Sequence, residues 1–206
     1  KDRHSARAGF HRVRPQLQEI QREHRLLVTH LVGLGYDLLA CEQPLGPLAD
    51  RKETAAEFRV IRQRLRPVED LDEYGVFQPL RFAMLHEGRL TVVGIEDPEL
   101  YAADHDAWEE FIEGTRKGKR NDRPPEERAL WLERAALASR RLDRNVLPRG
   151  RAAGRNLVAL MRERGSQRAV LMIGGAHVPG VVDALREADI AFDVFESAGY
   201  AGPQVP

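Results

Sequence analysis

The sequence predicts an α/β protein: one domain over residues 1–197, with a mainly parallel sheet and helices packed around it, and a tail over residues 198–206. Three observations carry that prediction. Short apolar runs alternate with longer amphipathic segments, the pattern of strands joined by crossover helices. The run Ala169-Val170-Leu171-Met172-Ile173 is short, uninterrupted and partly β-branched, as a strand buried on both faces should be. After it come Gly174-Gly175-Ala176-His177, an amphipathic segment from Pro179 to Ala188, and a second apolar run, Ile190 to Phe195. That order describes a right-handed parallel crossover, with His177 just past the end of its first strand.

The elements before it follow the same logic. Val13, Leu17, Ile20, Leu27 and Leu31 fall on one face of a long helix, which Gly33 and Gly35 end. A strand is expected at Leu38–Cys41, with Glu42 at its C-terminal end. Asp50 and Glu53 resemble a capping box and open a helix to about Leu65, where Pro67 stops it. A short helix is expected from Phe77 to Leu85, with Met84 and the aromatics in the core. Leu90–Ile95 reads as a strand that Glu96-Asp97-Pro98 ends, and Pro98 opens a helix carrying Leu100, Tyr101, Trp108 and Phe111.

The polar stretch from Thr115 to Pro125 is basic and broken by Gly and Pro. No aromatic residues interleave its charges as stacking platforms, so it reads as a solvated loop and not as a nucleic-acid surface. Two helices should follow, Glu126–Val146 and Arg155–Arg164, with Gly165 leading into the strand at Ala169. The last strand is expected at Ala191–Phe195, and the Gly/Pro-containing tail from Ala198 to Pro206 should carry no regular structure.

Composition narrows the function. Lys plus Arg equals Asp plus Glu at 32 each, so no global field favours nucleic acid or a membrane surface. The single cysteine, Cys41, excludes an internal disulfide and a cysteine-rich metal site. No apolar run is long enough to span a bilayer and no signal peptide is visible; the compartment is left open, with the cytoplasm favoured. The glycines at 174, 175 and 180 lack the spacing of a dinucleotide fingerprint.

Chemistry-bearing residues stand at three predicted strand ends: Glu42, Glu96 and His177. Ligands of open α/β sheets bind at such ends, so the three are expected to line one pocket. Each acid there is either a loop or cap contact or a member of a site, and residue type alone leaves both readings open.

The segment Gly174-Gly175-Ala176-His177, with Val178-Pro179-Gly180 after it, resembles the late G-x-x-H segment of the TraB/Tiki family. That family lies within a wider superfamily that also holds ChaN-like and erythromycin-esterase-like proteins. Arg155-Asn156 is similar to its Arg-Asn pair on the preceding helix, Gly94-Ile95-Glu96 to its strand ending in Gly-x-Glu, and Glu42 to its other strand-end acid. His4 takes the place of the family's first G-x-x-H histidine, with Lys1 where that motif has glycine.

The resemblance implies a metal-dependent, peptidase-like hydrolase acting on a peptide or small-molecule substrate. His177 and His4 would bind a divalent transition-metal ion, and Glu42 or Glu96 would be a ligand or the general base. Arg155 would orient an acid or bind a developing oxyanion and reach the pocket from its helix, and Gly174 and Gly175 would let the cofactor approach the backbone. The erythromycin-esterase branch implies metal-free hydrolysis with a histidine base. The ChaN branch implies haem at the same strand edge. A further alternative is a non-catalytic subunit that meets a protein partner or a second copy.

Overall fold

The structure is a computed structural model that describes residues 2–48 and 78–197, with the side chains of 2–17, 78, 80 and 81 outside the description. The expected helix from Asp50 to Leu65 and the tail from residue 198 lie outside the described residues.

Helix α1 spans Asp2–Gly33, and the turn after it carries Gly35 at φ 88°, a left-handed conformation natural to glycine. Strand β1 is Leu38–Pro44, β2 is Gly46–Pro47, helix α2 is Gln78–Leu85 and β3 is Thr91–Glu96. Helix α3 is Pro98–Gly118, α4 is Pro125–Arg164, β4 is Ala169–Met172 and α5 is Val178–Glu187.

The sheet runs in the order β2-β3-β1-β4. β1 is parallel to both β3 and β4, and β2 is antiparallel to β3. The predicted α/β class with a mainly parallel sheet is therefore the observed one.

Strand alternation divides the core into two layers. Leu39 and Cys41 face one layer, with Val28 and Val32 of α1, Phe82 of α2, and Leu90 and Val92. Leu38 and Ala40 face the other, with Val93, Ile95, Ala153, Leu157 and Val158 of α4, and Val181 and Leu185 of α5. β1 is thus covered on both faces, and Leu38, Leu39 and Ala40 are all 0 % exposed.

Three expectations are corrected. First, β4 packs on both layers as expected, Val170 and Met172 on one and Ala169 and Leu171 on the other, but it ends the sheet and its residues are only partly buried. Second, no strand forms at Ala191–Phe195. Ile190 and Phe192 pack on the α4–α5 layer, but Val194 and Phe195 are exposed, and the segment makes no ladder with β4. Third, the two expected helices from Glu126 to Arg164 are one helix that carries Pro148 inside it. The proline removes the N–H that would reach the carbonyl of Arg144. Packing on both sides carries the helix through: Ala135 and Ala138 are buried before it, and Ala152, Ala153, Leu157 and Val158 after it. Close approach also fixes this region, since a Cβ on Gly150 would lie 2.3 Å from the carbonyl oxygen of His177.

The basic stretch at 115–125 is split. Its first residues complete α3, where Lys117 lies over the Trp131 ring and pairs with Glu113. Arg120 pairs with Asp122 in the connection that follows.

His86 joins α1 to the turn after α2. It is 4 % exposed, its Nε2 is 3.3 Å from Thr29 Oγ1, and its Nδ1 is 3.5 Å from Arg89 Nη2. Burial, and then the Arg89 charge, hold its pKa below the ordinary 6.5. The fold favours the neutral ring, so this stability is present above pH 6.5 and is lost as pH falls from there through the lower folded value. Denaturant unfolding between pH 8 and 5 should show the parent losing stability faster than a His86→Gln variant over that window. Parallel curves would remove the assignment.

Candidate functional site at the strand C-terminal ends

The parallel strands deliver Glu42 and Glu96 to one edge. Glu42 lies within β1 beyond its buried stretch, and Glu96 is the last residue of β3. Between them the register of β1 and β3 shifts, with Cys41 opposite Gly94 and Pro44 opposite Glu96. After β4, Gly174 turns the chain into a short 3-10 turn, Gly175–His177, which leads into α5. That turn places His177 beside Glu42, with Nε2 3.3 Å from Glu42 Oε1. The Gly174 backbone N–H donates to Glu42 Oε2 at 2.7 Å.

The histidine is anchored from behind. Its Nδ1 is 2.9 Å from the Val146 carbonyl oxygen, which only accepts, so Nδ1 carries the proton. In the neutral ring Nε2 is then a bare lone pair facing a carboxylate oxygen. Two acceptors at that distance repel unless a proton or another cation lies between them. His177 stands on this turn, just past β4 as expected, and is buried there at 9 % exposed.

The acids are organised by Arg149 of α4. Its Nη2 and Nε donate to Glu96 Oε1 and Oε2 at 2.5 and 3.1 Å, a two-point grip. Its Nη1 donates to Asp104 Oδ2 at 2.5 Å, and Nη2 stands 4.0 Å from Glu42 Oε1. Asn145 completes the shell around Asp104 with a 2.7 Å hydrogen bond. Glu96 is 2 % exposed and Asp104 8 %, so these charges sit where water reaches them little. Burial opposes the Arg149 charge, and hydrogen bonds and charge from Glu96 and Asp104 more than offset it, raising its pKa above the arginine norm.

Glu42 therefore meets His177 on one side and, at 4.0 Å, Arg149 on the other, and Arg149 carries the chain of contacts on to Glu96. Arg155 does not join them. It is exposed, and among the described residues it forms no ion pair with either acid. Six helical positions turn its side chain by about 240° from Arg149, away from the cluster. Its neighbour Asn156 faces inward and donates to the Ile95 carbonyl oxygen at 2.9 Å, which fixes the end of β3. Gly174 contributes its N–H, and Gly175 begins the turn. His4 lies within α1, and its side chain is outside the described residues.

Arg149, Asp104 and Asn145 are the members that sequence reasoning misses. A signal exists: Leu142, Asn145 and Arg149 continue the inward stripe of Ala135 and Ala138 at helical spacing. Two polar residues in an apolar stripe mark a buried polar contact. Ending the helix at Val146 cuts Arg149 out of that stripe.

A divalent ion fits this donor set poorly. Both oxygens of Glu96 are taken by Arg149, and both of Asp104 by Arg149 and Asn145. Glu42 Oε1 and His177 Nε2 remain as two facing donors. Among the described residues no group of three His, Cys, Asp or Glu is placed to hold a metal ion. The cluster holds instead an imidazole and a carboxylate face to face, with a cation, Arg149, beside them.

Among the described residues no helix is long and apolar enough to cross a membrane. No family model, curated protein or solved structure matches this chain.

Proposed function

We propose that this protein is a hydrolase acting on an amide or ester bond without a metal, as the erythromycin-esterase branch of the TraB/Tiki resemblance implies, with His177 and Glu42 as its acid–base pair. The observation that supports it is the facing of His177 Nε2 and Glu42 Oε1 at 3.3 Å, with Nδ1 held by Val146 and Oε2 held by Gly174. In this reading the pair has room for one more proton. It takes that proton from a water molecule as the water attacks the substrate carbonyl, and returns it to the leaving group. Arg149 offsets the negative charge of Glu96 and Asp104 and holds them in place. General acid–base catalysis of this kind contributes about 10²- to 10⁴-fold.

A second reading has an observation of its own. Arg149, Glu96 and Asp104 form a closed, water-poor ion cluster, which would equally serve a non-catalytic subunit as a clamp between sheet and helices.

Hydrolysis of a panel of peptides and esters by the parent, His177→Ala and Glu42→Gln tests the proposal. Glu42→Gln is the cleaner variant, because Glu42 is partly exposed and glutamine still accepts the Gly174 N–H. A loss of about 10²- to 10⁴-fold in both variants is expected, with folding retained in Glu42→Gln. Parent-like rates in a folded Glu42→Gln protein, or a parent inactive across the panel, would leave the subunit reading. Elemental analysis and a visible spectrum of the same preparations distinguish a metal-dependent or haem-containing protein from a metal-free one.

A further inference from the structure

The other end of the sheet carries a second, unrelated feature. A cavity of about 450 Å³ opens where β1 and β3 begin, away from Glu42 and Glu96 at their far ends. Its size lies within the range of small-ligand sites. The buried Leu38 and Leu90 are among its lining residues. Its rim is polar and comes from separate elements: Arg89 and Thr91 at the start of β3, Asp37 before β1, Arg164 at the end of α4, and Ser166 after it. The left-handed turn glycines Gly88 and Gly165, at φ 77° and 66°, bend the chain beside each arginine.

Arg89 and Arg164 differ from Arg149 in one respect that matters. Arg149 is consumed by its own carboxylates, whereas among the described residues neither rim arginine pairs with an acid. Among the described residues Arg89 meets the ring of His86, at 3.5 Å. Asp37 is in the same lining, yet it forms no ion pair with them among the described residues. The lining thus carries two guanidinium forks, one carboxylate and two hydroxyls. Guanidinium forks match the oxygens of a phosphate group in pairs, and hydroxyls of Thr and Ser donate to the oxygens that remain.

We propose that this cavity is a binding site for a phosphate-bearing small molecule, held by Arg89 and Arg164 with Thr91 and Ser166 as further donors. The site is independent of the hydrolytic reading, because it shares no residue with the cluster at the opposite strand ends.

Calorimetric titration of the full chain with inorganic phosphate at low ionic strength tests it. Saturable binding at one site is expected. Arg89→Gln and Arg164→Gln should each weaken it about tenfold, the scale of one lost charge-assisted hydrogen bond. Asp37→Asn should strengthen it, because that change removes the like charge from the rim. Arg140→Gln, on an exposed part of α4, should leave it unchanged. All four positions are exposed, and thermal unfolding of each variant checks that the fold is kept. Absence of saturable binding would overturn the proposal. So would an equal weakening by Arg140→Gln, which marks general attraction to an arginine-rich surface.

Discussion

Replacing Arg149 by leucine is expected to destabilise the protein by about 3–5 kcal/mol, the scale of breaking a buried ion pair by removing one partner. The size follows from what is left behind. Arg149 supplies the hydrogen bonds to both oxygens of Glu96 and to one of Asp104, and both acids are nearly closed to water. Leucine fills part of the volume and leaves two carboxylates without their cation. Asn145 still donates to Asp104, so Glu96 bears most of the loss. Denaturant unfolding at neutral pH measures the change. The second half of the test is a rescue. Combining Arg149→Leu with Glu96→Gln should recover a large part of the loss, because neighbours in one network couple. Additive losses in the double variant would show that Arg149 acts through packing and not through charge.

Gly94→Ala is expected to cost about 3 kcal/mol, at the upper end of overpacking substitutions. The contact is with backbone and not with a side chain that could swing away. A Cβ at Gly94 would lie 1.9 Å from the Pro44 carbonyl oxygen and 2.5 Å from that of Gln43. Gly94 is paired with Cys41 on one side and with Gly46 on the other, so β3 has no free direction in which to move. Relief must come from lifting the Gln43–Pro44 segment. Glu42 is the next residue, and its carboxylate is what Gly174 and His177 hold. The variant should therefore lose stability and, in the hydrolytic reading, lose activity beyond what unfolding explains. Thermal unfolding checks the first effect, and the rate per folded molecule checks the second. A variant as stable as the parent would show that the crossing of β1 over Gly94 is looser than these distances require.

Much of the architecture was legible because strands and helices write local patterns. Leu38–Cys41, Leu90–Ile95 and Ala169–Ile173 are apolar runs of strand length, and each encloses or overlaps an observed strand. Asp97 before Pro98 signals a helix start, and its carboxylate does accept the N–H groups of Glu99 and Leu100. The failures share one physical cause. Whether Pro148 ends a helix depends on what packs on either side of it, and here both sides are held by the core. Whether Ile190 to Phe195 becomes a strand depends on a partner edge, and the segment touches the core through Ile190 and Phe192 without bonding to β4.

The candidate site divides in the same way. By itself the sequence determined that Glu42, Glu96 and His177 stand at or just past the C-terminal ends of apolar strands, because strand length and turn chemistry are local properties. Parallel pairing then follows from the crossover, and it sends those ends to one edge. Only the tertiary structure decided which cation answers the acids. Arg149 lies 53 residues from Glu96, 45 from Asp104 and 107 from Glu42 along the chain. Arg155 carries the same charge only six residues away. The helical rotation between them, and the seating of α4 on α3 and the sheet, turns one guanidinium into the cluster and leaves the other in water.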